Sequence, residues 1–234
     1  MITLGIDLSS MRENTSACAL RWTGKRAVAQ RPETQCDDAC LDALIARANV
    51  VGIDAPFGWP TEFTEAVREW KFSSWGEDTR DRLRFRETDR FVQELLRLTP
   101  LSVSSDRIAL PAMRAMALLK RHGVTNRSGD GKFFEVYPAG SLKAWGLESK
   151  GYKDAKDGKA ARFTILRALR KHMPWLEAAD FFAEDSNDLD GLIAAISARE
   201  AALGRTRKPE AGLPPMARKE GWIHVPAGWP TLKS

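Results

Sequence analysis

At 234 residues, with 43% of them hydrophobic, the chain can bury a sizeable core, which excludes intrinsic disorder and suits one generous domain. A net charge of +5 and a pI near 9.2 are compatible with a polyanionic partner without requiring one. The three cysteines (Cys18, Cys36 and Cys40) lack paired C-x-x-C spacing and have no histidine nearby, so a zinc ribbon is excluded and packing cysteines in a reducing compartment are expected.

Ile2, Leu4 and Ile6 alternate with Thr3, Gly5 and Asp7, predicting a strand over 2–8. Short β-like runs follow at 14–22 and 25–32, joined by a Thr23-Gly24 turn, and complete an antiparallel meander. The stretch 36–48 reads as a helix capped by Asp37 or Asp38, with Leu41, Leu44, Ile45 and Ala48 on one face. Val50–Asp54 is then a buried strand, expected to lie parallel and adjacent to the first.

From 61 to 131 the chain reads as a polar, helical insertion, with helices at 61–70, 88–98 and 111–121. The arginine-dense segment between 73 and 90 breaks helical periodicity, and 122–132 is a polar loop. "FFEVYPAG", 133–140, reads as a strand stopped by Pro138. An amphipathic helix is predicted over 159–173, with Phe163, Leu166 and Leu169 inward and Arg162, Arg167, Arg170 and Lys171 outward. Another spans 187–203, and "GWIHVPAGWP" near the end fits an edge strand. No basic segment followed by an apolar run opens the chain, and no apolar run nears the ~20 residues needed to cross a bilayer, so a soluble, cytoplasmic protein without membrane contact is expected.

The chemistry concentrates in carboxylates. "TLGIDLSS" and "VVGIDAPFGW" both end a predicted parallel strand on Gly-Ile-Asp, which puts Asp7 and Asp54 where open α/β sheets gather ligands. Two such carboxylates repel unless a cation compensates, and all-oxygen ligands suit Mg²⁺ or Mn²⁺. Either residue alone could simply make an Asx turn. Glu135, between Phe134 and Val136, is a costly charge unless partnered, or else a solvent-facing strand position. Asp190 and its rival Asp188 lie at the start of the 187–203 helix, where either could serve the helix terminus. The small face of Gly191, Ala194, Ala195 and Ala198 implies tight packing on the sheet and favours Asp190 near the acids.

A first strand ending in Asp, a meander, a helix, a parallel strand ending in Asp and a late helix bearing Asp resemble the ribonuclease H-like fold. More closely, "GIDLSS", "GIDAPFGWP", "FRETDR", "EVYPAGSLKAWG", "GYK", "DLDGLIAAISAR" and "EGWIHVP" look like domain-of-unknown-function family 429, over essentially the whole chain. The resemblance implies a single ribonuclease H-like domain over 1–234. Its core would be a mixed five-stranded sheet, an antiparallel meander plus parallel strands, flanked by helices and carrying the insertion at about 61–131. It also implies an acidic metal-binding and catalytic set of Asp7, Asp54, Glu135 and Asp190, with Arg86 and Asp89 as a further motif nominated for substrate binding. Asn187 stands where related junction-resolving nucleases often have a histidine.

The activity implied is hydrolysis of a phosphodiester in DNA or RNA by two cations roughly 3.5–4 Å apart, bridged by Asp7. His122, His172 and His224 are scattered, so a nucleophilic triad is not expected. Arg80, Arg82, Arg84, Arg86 and Arg90 could meet phosphates, and Trp70, Phe72 and Trp75 could stack on bases. Interleaved Glu77, Asp78, Asp81, Glu87 and Asp89 instead favour a solvated, salt-bridged face for most of these arginines. Two rivals stand beside the nuclease: a small kinase or ATPase of the actin-like superfamily, and a non-catalytic nucleic-acid-binding protein of the same fold.

Overall fold

The alternation at the start of the chain becomes β1 (Ile2–Asp7), which pairs antiparallel with β2 (Ser16–Trp22) and parallel with β5 (Val50–Asp54). The computed structural model describes residues 1–70, 75–154 and 156–232. The meander continues through β3 (Ala27–Ala29), and the two-residue β4 (Glu33–Thr34) pairs with β2. Beyond β5 lies β6 (Phe133–Glu135), and the two-residue β7 (Leu176–Glu177) adds to β3. Among the described residues the result is a mixed seven-stranded sheet in the order β6-β5-β1-β2-β3-β7, with β4 off that path. The expected five strands are thus joined by two short ones, each too brief to show a period in the sequence.

The two faces of the sheet are filled differently. Leu4, Ile6, Val51 and Ile53 point to the side covered by α1 (Asp38–Arg47) and α5 (Ala109–Arg121), meeting Leu41, Ile45, Ala115 and Leu118. Asp37 caps α1, accepting from the Cys40 N–H at 2.8 Å. The other face carries α8 (Ser186–Ala202), which is apolar nearly all round and buried from Leu189 to Ala201. A helix apolar on nearly every side is covered on both faces, where the sequence pattern predicted an amphipathic helix packed on the sheet by its small face alone. Its outer side meets α7 (Gly158–His172) through Leu166, Leu169, Ile193 and Ile196.

The glycines of the repeated Gly-Ile-Asp make this packing possible. A Cβ on Gly5 would lie 2.0 Å from the Gly191 carbonyl and 2.2 Å from the Ala195 nitrogen; one on Gly52 would lie 2.6 Å from the Ala194 carbonyl. Backbone therefore rests on backbone, and the expected small face of α8 is what approaches.

Among the described residues, four helices separate β5 from β6: α2 (Thr61–Glu69), α3 (Glu77–Arg84), α4 (Glu87–Leu96) and α5. α3 escaped the sequence reading because it is polar on every side, with no buried residue, and is supported by ion pairs such as Arg82–Asp78 at i,i+4. Pro138 does more than stop a strand: it opens α6 (Pro138–Ala144), where its missing N–H and fixed φ suit the first turn. Arg162, expected outward on α7, is buried, for reasons that matter below. The "GWIHVPAGWP" segment follows the short α9 (Ala217–Glu220) and makes single bridges, Ile223 to Glu135 and Pro226 to Thr206, rather than a strand. No helix among the described residues is long and apolar enough to cross a membrane.

Candidate metal centre

Register decides which acids meet. In the parallel pair, Ile6 aligns with Ile53 and Asp7 with Asp54, so the two carboxylates stand side by side at the carboxyl ends of adjacent strands. Side chains alternate along a strand, so both point to the face already holding Gly5, Gly52 and α8. Asp190 lies one turn into α8, brought there by the same glycine contacts. Oxygens of Asp7, Asp54 and Asp190 all come within 4.8 Å of one another. Asp190 is completely buried and the other two are partly exposed.

Glu135 does not join them. It aligns with Ile53, not with Asp54, and therefore points to the opposite face of the sheet. There its oxygens accept from Arg86 Nη1 at 3.0 Å, Arg86 Nη2 at 2.8 Å and the Phe57 N–H at 2.9 Å. Arg86 also donates to both oxygens of Asp89 and to the Glu220 carbonyl. Arg86 and Asp89, nominated for substrate binding, are thus parts of an internal network, 2% and 1% exposed. Asp89 additionally closes a capping box on α4. Burial raises the Glu135 pKa, and the Arg86 charge and hydrogen bonds work against that. For Arg86, burial disfavours the charge, but Asp89 and Glu135 outweigh it and hold the guanidinium ionised. Only side chains reaching the core from α4 could reveal this pairing, and the one hint in the sequence was an arginine three residues before an aspartate.

The triad is only partly compensated, by Lys153. Burial first, then Asp190 and Asp54, raise Asp7 well above the ordinary carboxylate range. Burial, with Asp190 and Glu135 adding to it, pushes Asp54 up to about 7 against the opposing pull of Lys153. Asp190 accepts from the Tyr152 hydroxyl through Oδ1 at 2.7 Å, while Oδ2 lies 2.5 Å from Lys153 Nζ and accepts no directional hydrogen bond. Three carboxylates with an under-used buried oxygen are a donor set that fits a hard divalent ion. Asp188, the rival ligand, is turned toward β2 and accepts from the Ser16 hydroxyl at 2.6 Å.

Asp7 and Asp54 line a cleft of about 680 Å³, with Asp190 buried behind them. Its walls include Pro100, Leu101, Ile108 and Pro111 from the insertion, Tyr137 and Ala139 from β6–α6, and Tyr152 and Lys153 from the loop before α7. Asn187 also lines it, but no histidine does among the described residues. His122 is 2.8 Å from Asp42, His172 stacks on Trp229, and His224 is buried against Ser128 and Thr206. The arginine run forms the salt-bridged face that its interleaved acids favoured: Arg80 meets Asp81, and Arg82 meets Glu62 and Asp78. Trp70 and Trp75 are exposed, at 90% and 70%, and line no part of the cleft; Phe72 lies outside the described residues. Tyr152 and Lys153, from the "GYK" stretch, belong to the site although no pattern in the sequence assigns them a role there.

A family model described as "Protein of unknown function (DUF429)" matches residues 5–212. The chain belongs to the DUF429 family. The matched span of this DUF429 chain includes all three acids of the centre as well as Lys153, whereas the closing "EGWIHVP" lies beyond it. No curated protein and no solved structure matches the chain.

Proposed function

We propose that this chain is a metal-dependent phosphodiester hydrolase, a nuclease on a ribonuclease H-like core. The observation that carries the reading is the convergence of Asp7, Asp54 and Asp190 on one face at the carboxyl ends of adjacent parallel strands. The strand sequence β3-β2-β1 antiparallel, followed by parallel β5 and β6, supports the fold assignment. Mg²⁺ or Mn²⁺ is the ion the all-carboxylate donor set suits.

Asp7 and Asp54 would hold the ion from the strand ends, and Asp190 would add an oxygen from α8 with its orientation fixed by Tyr152. When bound, such an ion supplies Lewis acidity toward a phosphoryl oxygen and lowers the pKa of an attacking water. The chain itself provides the rigid floor, through glycine-mediated contact of α8 with β1 and β5, and a walled cleft that orients the ester and limits water.

The substrate of this reading is nucleic acid, DNA or RNA. A second reading, a small phosphorylated molecule, is favoured by the cleft itself. Its walls are largely apolar, and its cations among the described residues, Arg86 and Lys153, are both already paired with acids. Fluorescent single-stranded, duplex and hybrid oligonucleotides, alongside bis-p-nitrophenyl phosphate, would be incubated with Mg²⁺ or Mn²⁺. Cleavage that falls at least roughly 100-fold in Asp7→Asn and Asp54→Asn is expected, with both variants folded. Cleavage unaffected by either substitution, or binding of oligonucleotide without turnover under any ion, would refute the hydrolase.

A further inference from the structure

The geometry points to Lys153 as a built-in cation of the acidic centre, so that the site takes one divalent ion where a pair is the usual expectation for such carboxylates. This inference rests on the metal-centre reading above and specifies its stoichiometry and the group that completes it.

Lys153 reaches the triad from the loop between α6 and α7, its Nζ 2.5 Å from Asp190 Oδ2. With an ion bound and the three acids ionised, three carboxylates less one ammonium would leave two negative charges, which a single divalent ion would neutralise. Lys153 Nζ already occupies the space beside Asp190 Oδ2, where a second ion would sit, while Oδ1 is oriented by Tyr152. A second cation would have to evict the lysine.

The loop is not free to leave. Arg162, buried on α7, donates through Nη1 to the Tyr152 carbonyl at 2.7 Å, through Nε to that of Ala183 at 2.9 Å, and through Nη2 to that of Glu184 at 2.9 Å. It thereby ties the residue before Lys153 to the segment leading into α8, the helix that carries Asp190. Gly158 admits this clamp, since a Cβ there would sit 2.6 Å from the Tyr152 carbonyl and 2.7 Å from Arg162 Nη1. Gly151, at φ +74°, turns the chain into the loop. Four carbonyls, that of Asp154 at 3.4 Å included, are held by one buried guanidinium, which explains why an arginine on the polar stripe of an amphipathic helix points inward. Its role is to position Lys153.

In hydrolysis the water oxygen forms a bond to phosphorus as the bond to the ester oxygen breaks; the water proton goes to solvent, and the ester oxygen departs with a proton from solvent. Lys153 would stabilise the negative charge that builds on the oxygens during that exchange, without itself giving up its proton.

The test is the stoichiometry of Mn²⁺ binding, read by isothermal titration calorimetry and native mass spectrometry on the full chain. The wild type is expected to take one ion, Lys153→Arg also one, and Lys153→Met two, the second filling the vacated charge. Lys153→Met should still fold, because the side chain is half exposed and its loop is held through backbone; circular dichroism checks this. Two ions in the wild type, or one ion in Lys153→Met, would overturn the inference while leaving the metal centre standing. No ion in either, with Asp7→Asn indistinguishable from both, would remove the metal centre and this inference with it.

Discussion

Replacing Asp54 by Asn should stabilise the metal-free protein at alkaline pH and destabilise it, relative to wild type, once a divalent ion is added. Burial and neighbouring acids move Asp54 from its ordinary 3.8 to about 7. The folded chain therefore keeps a proton that the unfolded chain has released. Native molecules bind more protons between those two values, and stability falls as pH rises through that window. At about 1.4 kcal/mol per pH unit the ceiling is about 4 kcal/mol. The carboxylate is partly exposed on the floor of an open cleft, so screening by water leaves about 1–2 kcal/mol. For a chain of this size that is a rise of roughly 2–8 °C in Tm for Asp54→Asn at pH 8 with chelator, vanishing near pH 4. His224 acts oppositely over much of the same range, since burial holds it down at about 4 and its neutral native form loses stability as pH falls. The slope of the wild type alone is thus a poor guide; the difference between the two proteins isolates Asp54. With Mn²⁺ in excess the order should reverse, because the wild type gains binding free energy that the variant lacks. Urea melts at pH 4.5, 6 and 8, with chelator or Mn²⁺, provide the measurement. If Asp54→Asn is no more stable than wild type at pH 8 in chelator, the acids do not share a pocket whose negative charge exceeds what Lys153 offsets.

Other perturbations follow from the same structure. Arg86→Met strands Glu135 and Asp89 in the interior and should cost about 3–5 kcal/mol by urea denaturation. Adding Glu135→Gln should recover part of that loss; strict additivity would refute the shared network. Gly5→Ala forces a methyl into the backbone of α8 and should cost at least about 1–3 kcal/mol while weakening Mn²⁺-induced stabilisation, because Asp190 moves with the helix; an unchanged Tm would contradict the close approach. His224→Gln should flatten the acid limb of wild-type stability between about pH 6.5 and about 4, the range over which the unfolded chain alone binds its proton; an unaltered limb would show that His224 charges freely in the fold.

Much of the fold was legible because hydrophobic period and glycine placement agree. The alternation of 2–7, the helical stripe of Leu41 and Ile45, and the small face of α8 each have one physical solution, and the structure adopts it. Asp7 and Asp54 could be paired from sequence because both follow the same Gly-Ile, so one register places both glycines against the helix and both acids beyond it. Where local pattern is silent, the reading stopped short. α3 buries nothing and has no apolar period to detect, and β4 and β7 are two residues long. Arg162 is indistinguishable by spacing from the surface arginines of α7, because its partners are carbonyls supplied by distant segments.

Glu135 shows why an acid on a strand is not yet a ligand. Side-chain direction alternates with each residue, so the alignment of β6 with β5 assigns Glu135 either to the triad or to the opposite face, and one residue of slip exchanges the two. Sequence specifies that alignment only weakly in a three-residue strand. The observed register gives Phe134 and Val136 to the α8 face, where they pack with Ala194 and Ala198, and sends Glu135 away. Slipping it would bury a carboxylate against those alanines and turn two apolar side chains toward Arg86. The network of Arg86, Asp89 and Glu135 therefore acts on the centre through the backbone: it locks β6 and the Phe57 turn beside Asp54, and Glu220 and Ile223 are tied in behind them. One face of the sheet gathers three carboxylates with Lys153 as their cation, and the other neutralises its own acids with an arginine. Only the first has anything left to offer a ligand.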